Sequence, residues 1–162
     1  MALSYSAAAT ITVSPASLAS DTTKLAGRVS TAVDNTTNLY HDCLVSGKIT
    51  VGTTPTTAKS IEIWVYSAIS DTPTYPDVLD GTDSAETLTS AGVKGSMLKL
   101  LKSISTEATS DRPYEFANEP IAHLFGGAVP KRWGLFITHD TAVALNATGG
   151  NHVFSYVGVK YS

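Results

Sequence analysis

His41-Asp42-Cys43 sets an imidazole, a carboxylate and a thiol in consecutive positions, the residue types from which a cysteine nucleophile and its base are made. In an extended strand, however, adjacent residues project to opposite faces, so Asp42 points away while His41 and Cys43 merely share a side two residues apart. A working thiol also needs a base within hydrogen-bond reach and an oxyanion site, and nothing around the tripeptide signals either. Cys43 therefore reads as a buried, inert small hydrophobe. The residues that most resemble a metal set are His123, His139, Asp140 and His152, with a His-Asp pair at the end of one strand and a His at the start of another. Hairpin pairing would bring the last three together, but no ligand spacing such as H-x-H or H-E-x-x-H is present. These read as satisfied polar groups at loop ends, and no metal or other cofactor is expected.

Oxygen ligands are dense in Asp77-Val78-Leu79-Asp80-Gly81-Thr82-Asp83-Ser84-Ala85-Glu86, a stretch able to wrap a calcium ion. It lacks the EF-hand order of oxygens at positions one, three and five ahead of the glycine. A solvated acidic loop or a subunit contact is the plainer reading. Gly126-Gly127 has neither the pattern nor the following helix of a phosphate loop, and no carboxylate pair stands out for glycoside hydrolysis. Trp64, Tyr66, Tyr75, Trp133, Tyr156 and Tyr161 would make a stacking platform for carbohydrate if they were exposed together, although core packing and subunit contacts use the same residues more often. No enzymatic activity is expected.

The elements that must position these residues are strands. In Ser60–Ile69, Ile61, Ile63 and Val65 fall at alternate positions and face a dry core, while Glu62, Trp64 and Tyr66 face the other way, toward a second layer or another chain. Lys24–Val33 alternates in the same manner. Leu39–Val51 does so as one long strand with Gly47 a candidate bulge, expected to pair with 60–69. Trp133–His139 and His152–Tyr161 are strands, and 141–147 is a short candidate. Val93–Ser105 fits helix or strand; Gly92 and Gly95 argue against a long helix, and the Ser/Thr alternation of Ser103-Ile104-Ser105-Thr106 favours strand. Asp71–Ala91 is a long aperiodic loop, the kind that usually carries function or flexibility. The strands are separated by Gly, Pro and Asn turns with no βα alternation, which gives an all-β antiparallel β-sandwich, with the jelly roll as the suggested sub-class.

At 162 residues the chain makes one domain, 21–162, preceded by an extended Ala/Ser/Thr-rich arm over 1–20. A net charge of −3 and no basic cluster supply no attraction for nucleic acid. One cysteine excludes an internal disulfide. The N-terminal stretch lacks the basic region of a signal peptide, and no segment reaches the ~20 apolar residues of a membrane-spanning helix, so synthesis in the cytoplasm without membrane association is expected.

Taken together, the Ala/Ser/Thr-rich arm, the strand Trp133-Gly134-Leu135-Phe136-Ile137-Thr138-His139-Asp140 and the terminal strand His152–Ser162 resemble the small all-β structural proteins of tailed-bacteriophage virions, in particular capsid decoration or cement proteins. The resemblance covers the whole chain in style and rests on no diagnostic motif. It implies a sandwich or jelly roll without catalysis, made in the host cytoplasm and located in the virion. Its partner would be the major capsid protein or another virion protein, bound as a homo-oligomer, with a trimer among the options. A tail, neck or fibre component and a carbohydrate-binding module are the alternatives. The arm 2–20 and the loop 71–86 are the expected contacts, with Trp64, Tyr66, Tyr75, Asp77, Asp80 and Asp83 as interface residues.

Overall fold

The computed structural model describes residues 2–161. Among the described residues, eleven strands form two antiparallel sheets: β1 (Leu3–Tyr5), β2 (Ala9–Thr10), β3 (Ala26–Val29), β4 (Val33–Asp34), β5 (Asp42–Thr50), β6 (Lys59–Ser67), β7 (Ser84–Thr87), β8 (Lys99–Thr106), β9 (Pro113–Pro120), β10 (Arg132–His139) and β11 (Val153–Tyr161). One short helix, α1 (Ala91–Met97), precedes β8. The first sheet runs β1-β11-β5-β9 with β2 also on β11; the second runs β7-β3-β10-β6-β8 with β4 also on β10. If β1/β2 and β3/β4 each count as one position and β7 is set aside, the chain visits first, second, first, second, second, first, second, first sheet. That is jelly-roll connectivity, one of the ways antiparallel sheets limit their open edges.

Alternation explains the core. Cys43, Val45 and Ile49 of β5 share one core with Ile61, Ile63 and Val65 of β6 in the opposite sheet, joined by Phe154 of β11 beside β5 and by Leu135 and Ile137 of β10 beside β6. The expected β5–β6 pairing is thus corrected. The two strands belong to different sheets, β5 between β11 and β9 and β6 between β10 and β8, and the connection 51–58 crosses the end of the sandwich. Alternation says which face a strand buries, not which strand lies beside it.

The bulge also lies elsewhere. From Val45↔Glu119 to Gly47↔Phe116 the register advances one residue further on β9 than on β5, so the extra residue is on β9, where Asn118 has φ +57°. Gly47 is small for another reason: a Cβ there would stand 2.7 Å from the Phe154 ring and 2.8 Å from that of Phe116. Two further expectations change. Val93–Ser105 begins inside α1, which Ser90 caps by accepting from the Val93 N–H, and only then becomes β8. Residues 141–147 form no strand; they are a loop whose Leu145 is buried.

The segment 2–20 lies along the domain. β1 and β2 pair with β11, Ile11 is in the core, and the Ser14 N–H and hydroxyl both donate to Asp83. An arm this apolar gains more by covering the open edge of β11 than by standing in water.

Candidate interaction surface

The outer face of β6 carries Glu62, Trp64 and Tyr66, the surface the alternation offers to a second layer. The second layer is the protein's own chain. The connection from β6 to β8 folds back over the second sheet, and Leu79, Leu88 and Leu98 pack there with Tyr66, Val29 and Phe136 into a second apolar cluster, flanked by Trp64 and Tyr75. Tyr66 lies over Gly134, donates its hydroxyl to the Ser30 carbonyl at 2.7 Å, and receives Tyr75 edge-on at 5.6 Å. Burial pushes the Tyr66 phenol upward, beyond the range of ordinary tyrosines. Tyr66 is therefore no surface anchor: it is fully buried, a correction to its place among the interface residues.

Trp64 is half-buried under α1. The Lys94 ammonium sits 4.5 Å from its ring centre, a cation–π contact, and donates to Glu62 Oε2 at 2.9 Å and to the Lys24 carbonyl at 2.8 Å. Glu62 also accepts from Lys24 Nζ at 3.1 Å and from Trp64 Nε1 at 2.8 Å. Burial alone would raise the Glu62 carboxyl, but these donors together hold it below the usual range. Lys24 extends the network to Ser60 and, at 3.7 Å, to Asp140. The group is a structural clamp that fastens α1 to β6.

The acidic residues of the loop brace the same cover from within and, at Asp83, tie it to the rest of the fold. Asp77 accepts from the N–H and hydroxyl of Thr89, Asp80 from those of Thr82, and Asp83 from Ser14 and from Arg28 Nε at 2.6 Å. Each carboxylate has separate partners, and among the described residues no three His, Cys, Asp or Glu side chains gather as a metal site.

The histidines divide in a similar way. His139 Nε2 donates to the Leu18 carbonyl, and its Nδ1 lies 2.9 Å from the Thr141 hydroxyl, which donates to the Val143 carbonyl. His152 likewise donates through Nε2 to the Asn146 carbonyl and accepts at Nδ1 from the Thr50 N–H. Burial lowers both imidazoles from their ordinary value, and at His152 the Thr50 N–H on Nδ1 favours the same neutral form. They tie the loops at one end of the sandwich and leave no ring nitrogen for a ligand. Asp140 is occupied by the Ser60 N–H. Cys43 is fully buried, and burial followed by the Asp42 charge pushes its thiol up to about 12. Asp42 itself accepts from the N–H groups of Cys43, Ile121 and Ala122. The platform of aromatics does not form, because Trp133 is fully buried and edge-on to Tyr156.

What remains outside is a different set. Leu39 and Ile69 are each 69% exposed and line one groove with Thr36, Ser70, Lys131 and Arg132, where three connections meet at the end of the sandwich opposite the histidines. Leu39 has φ +52°, a conformation that disfavours a branched side chain, and Asn35 braces its loop by bonding the Tyr40 N–H and carbonyl. Lys131 pairs with Asp71 and Arg132 with Asp34 on the rim. A second apolar group, Leu3, Tyr5 and Tyr161, stands at the edge of the first sheet. The sequence points to the second group in part, through the arm 2–20 and Tyr161, and not to the first, because Leu39 falls inside one strand-like run and Ile69 at the end of another. The turn signal Asp34–Asn38 immediately before Leu39 was the available clue. No protein-family model matches the chain, and no curated protein matches it.

Proposed function

We propose that this chain is a non-enzymatic structural protein of a tailed-bacteriophage virion, one that binds the outer surface of the capsid and strengthens the shell. The observation that carries the reading is a jelly roll in which Cys43 is buried and His139, Asp140, His152 and aspartates 77, 80 and 83 are bonded within the fold, while Leu39 and Ile69 are held out at one end. Jelly rolls serve in viral capsid and lectin domains, an analogy of fold that supports the class and not the partner. Braced apolar side chains ringed by charge are the usual anchors of a protein contact. A protein that binds the assembled lattice and not free subunits stabilises the lattice by mass action, and many copies multiply a modest contact.

The test is to purify particles from the source culture and measure this protein against the major capsid protein by mass spectrometry. Copy numbers comparable to the capsid subunit are the expected result. A handful per particle moves the protein to tail or neck, and absence from particles refutes the virion reading. Leu39→Asp and Ile69→Asp should then each abolish rebinding to stripped particles without changing the fold.

A further inference from the structure

The two sheets present four edges, and three are guarded. β8 carries Lys99 and Lys102, β9 carries Glu115 and Glu119 and is bounded by Pro113 and Pro120, and β7 is four residues long with Glu86 in it. Charges, prolines and brevity are the devices that keep sheet edges from pairing with other chains. β1 has none of them beyond its shortness. Its residues are Leu3, Ser4 and Tyr5, and no charged side chain occurs anywhere in residues 1–20.

The hydrogen-bond pattern shows which groups this edge offers. Val159 opposes Tyr5, and the Val159 carbonyl accepts from His41 on the β5 side. The Ser6 N–H instead donates to Gly158, and the Ser4 hydroxyl reaches the Lys160 carbonyl, so β11 turns Gly158 and Lys160 toward β1. In an antiparallel ladder the pairs alternate, so Ser4 bonds inward to Lys160 while the main-chain N–H and C=O of Leu3 and Tyr5 point to the open side. Leu3, Tyr5 and Tyr161, exposed by 49, 62 and 56%, stand on one face of this edge.

We propose that the open edge of β1 joins two copies of this chain. The strands pair antiparallel about a twofold axis between the two Ser4 residues. Leu3 then faces the partner's Tyr5 and Tyr5 faces the partner's Leu3, each pair exchanging both main-chain hydrogen bonds. The register is self-complementary: the outward donors and acceptors of one copy meet those of the other. It extends the first sheet without a break into β9-β5-β11-β1 followed by its mirror order. The apolar side chains of both copies close into one patch. The nearest like charges, Lys160 and its copy, are separated by three strand spacings, about 14 Å, beyond the ~8 Å Debye length at physiological salt. The inference stands apart from the virion reading, and either can fail alone.

Light scattering after size exclusion, on the full chain at its highest soluble concentration and on dilution, tests it. The expected mass is twice the 17.0 kDa of one chain, falling toward one on dilution. Tyr5→Pro removes an outward N–H that makes no bond within the sheet, and proline is tolerated on an edge strand; Leu3→Lys adds the missing guard. Both should give the single-chain mass with an unchanged melting temperature. A wild-type monomer at the highest concentration, a trimer, or a dimer that survives both substitutions would overturn the proposal.

Discussion

Glu62→Gln is the substitution that most directly probes how the second layer is held. The variant keeps the shape of the side chain and removes its charge, leaving Lys94 with no countercharge although its side chain is only 8% exposed. Removing one partner of a buried ion pair costs about 3–5 kcal/mol because the other charge stays desolvated. Glu62 is itself 18% exposed, so the lower end applies, about 3 kcal/mol. For a domain of 162 residues this corresponds to a fall in melting temperature of about 6–12 °C. Lys94→Met should cost less, about 1–2 kcal/mol, since Glu62 retains Lys24 and the Trp64 indole and methionine replaces the buried stem. The double variant should be more stable than Glu62→Gln alone, because it removes the orphaned ammonium.

The pH dependence supplies the sign. The Glu62 carboxyl is held below its reference value of 4.5 in the folded state, so its contribution is complete above 4.5 and is lost as pH falls through the lower folded value. Urea unfolding followed by tryptophan fluorescence should show the gap between wild type and Glu62→Gln at neutral pH and a narrowing gap in acid. A variant within ~0.5 kcal/mol of wild type, or a gap independent of pH, would refute the clamp.

The remaining predictions concern the packing of the two cores. Gly134→Ala places a Cβ 2.4 Å from the Tyr66 ring, which is buried and tied to Ser30, so the ring cannot retreat and unfolding stability should fall by about 2–3 kcal/mol in urea melts; a neutral result would mean that Tyr66 moves freely. Cys43, with its thiol pushed up to about 12, should resist an aromatic disulfide reagent at mildly alkaline pH and react at once in denaturant. Rapid reaction of the native protein would show that the two sheets part at β5.

The long strands were legible because their environments are asymmetric or simple. β6 alternates between core and cover and β11 between core and outer surface, and the near-continuous burial of β10, from Trp133 through His139, matches its apolar run. Partners were not legible, since β5 and β6 follow one another in sequence and send the same aliphatic pattern into the same core from opposite sheets. Nor was α1. Two glycines in seven residues give it little intrinsic helicity, and it is held by the Ser90 cap, by Lys94 on Glu62 and by Leu98 in the second cluster.

The candidate site failed for a reason that bears on function. Trp64, Tyr66 and Tyr75 have the composition of an interface because they form one, between a sheet and the connection that covers it, and burial within a chain uses the same chemistry as burial between chains. Aspartates 77, 80 and 83 resemble contact residues for the same reason: Asp77 and Asp80 brace the cover from within, and Asp83 ties it to Ser14 and Arg28. A sequence shows that an amphipathic face is covered, not which chain covers it. Once the chain has consumed that face, an outside partner is left with surfaces whose apolar groups have no internal counterpart. Leu39 and Ile69 at the loop end, and Leu3 and Tyr5 at the edge of β1, fit that description, with Tyr161 beside them packed edge-on against His41. One surface is built by connections and one by a strand, and they approach each other at His41, whose ring meets that of Tyr161 at 5.2 Å two residues from Leu39, so Leu3→Lys, which guards the edge, and Leu39→Asp are the substitutions that separate self-association from binding at the loop end.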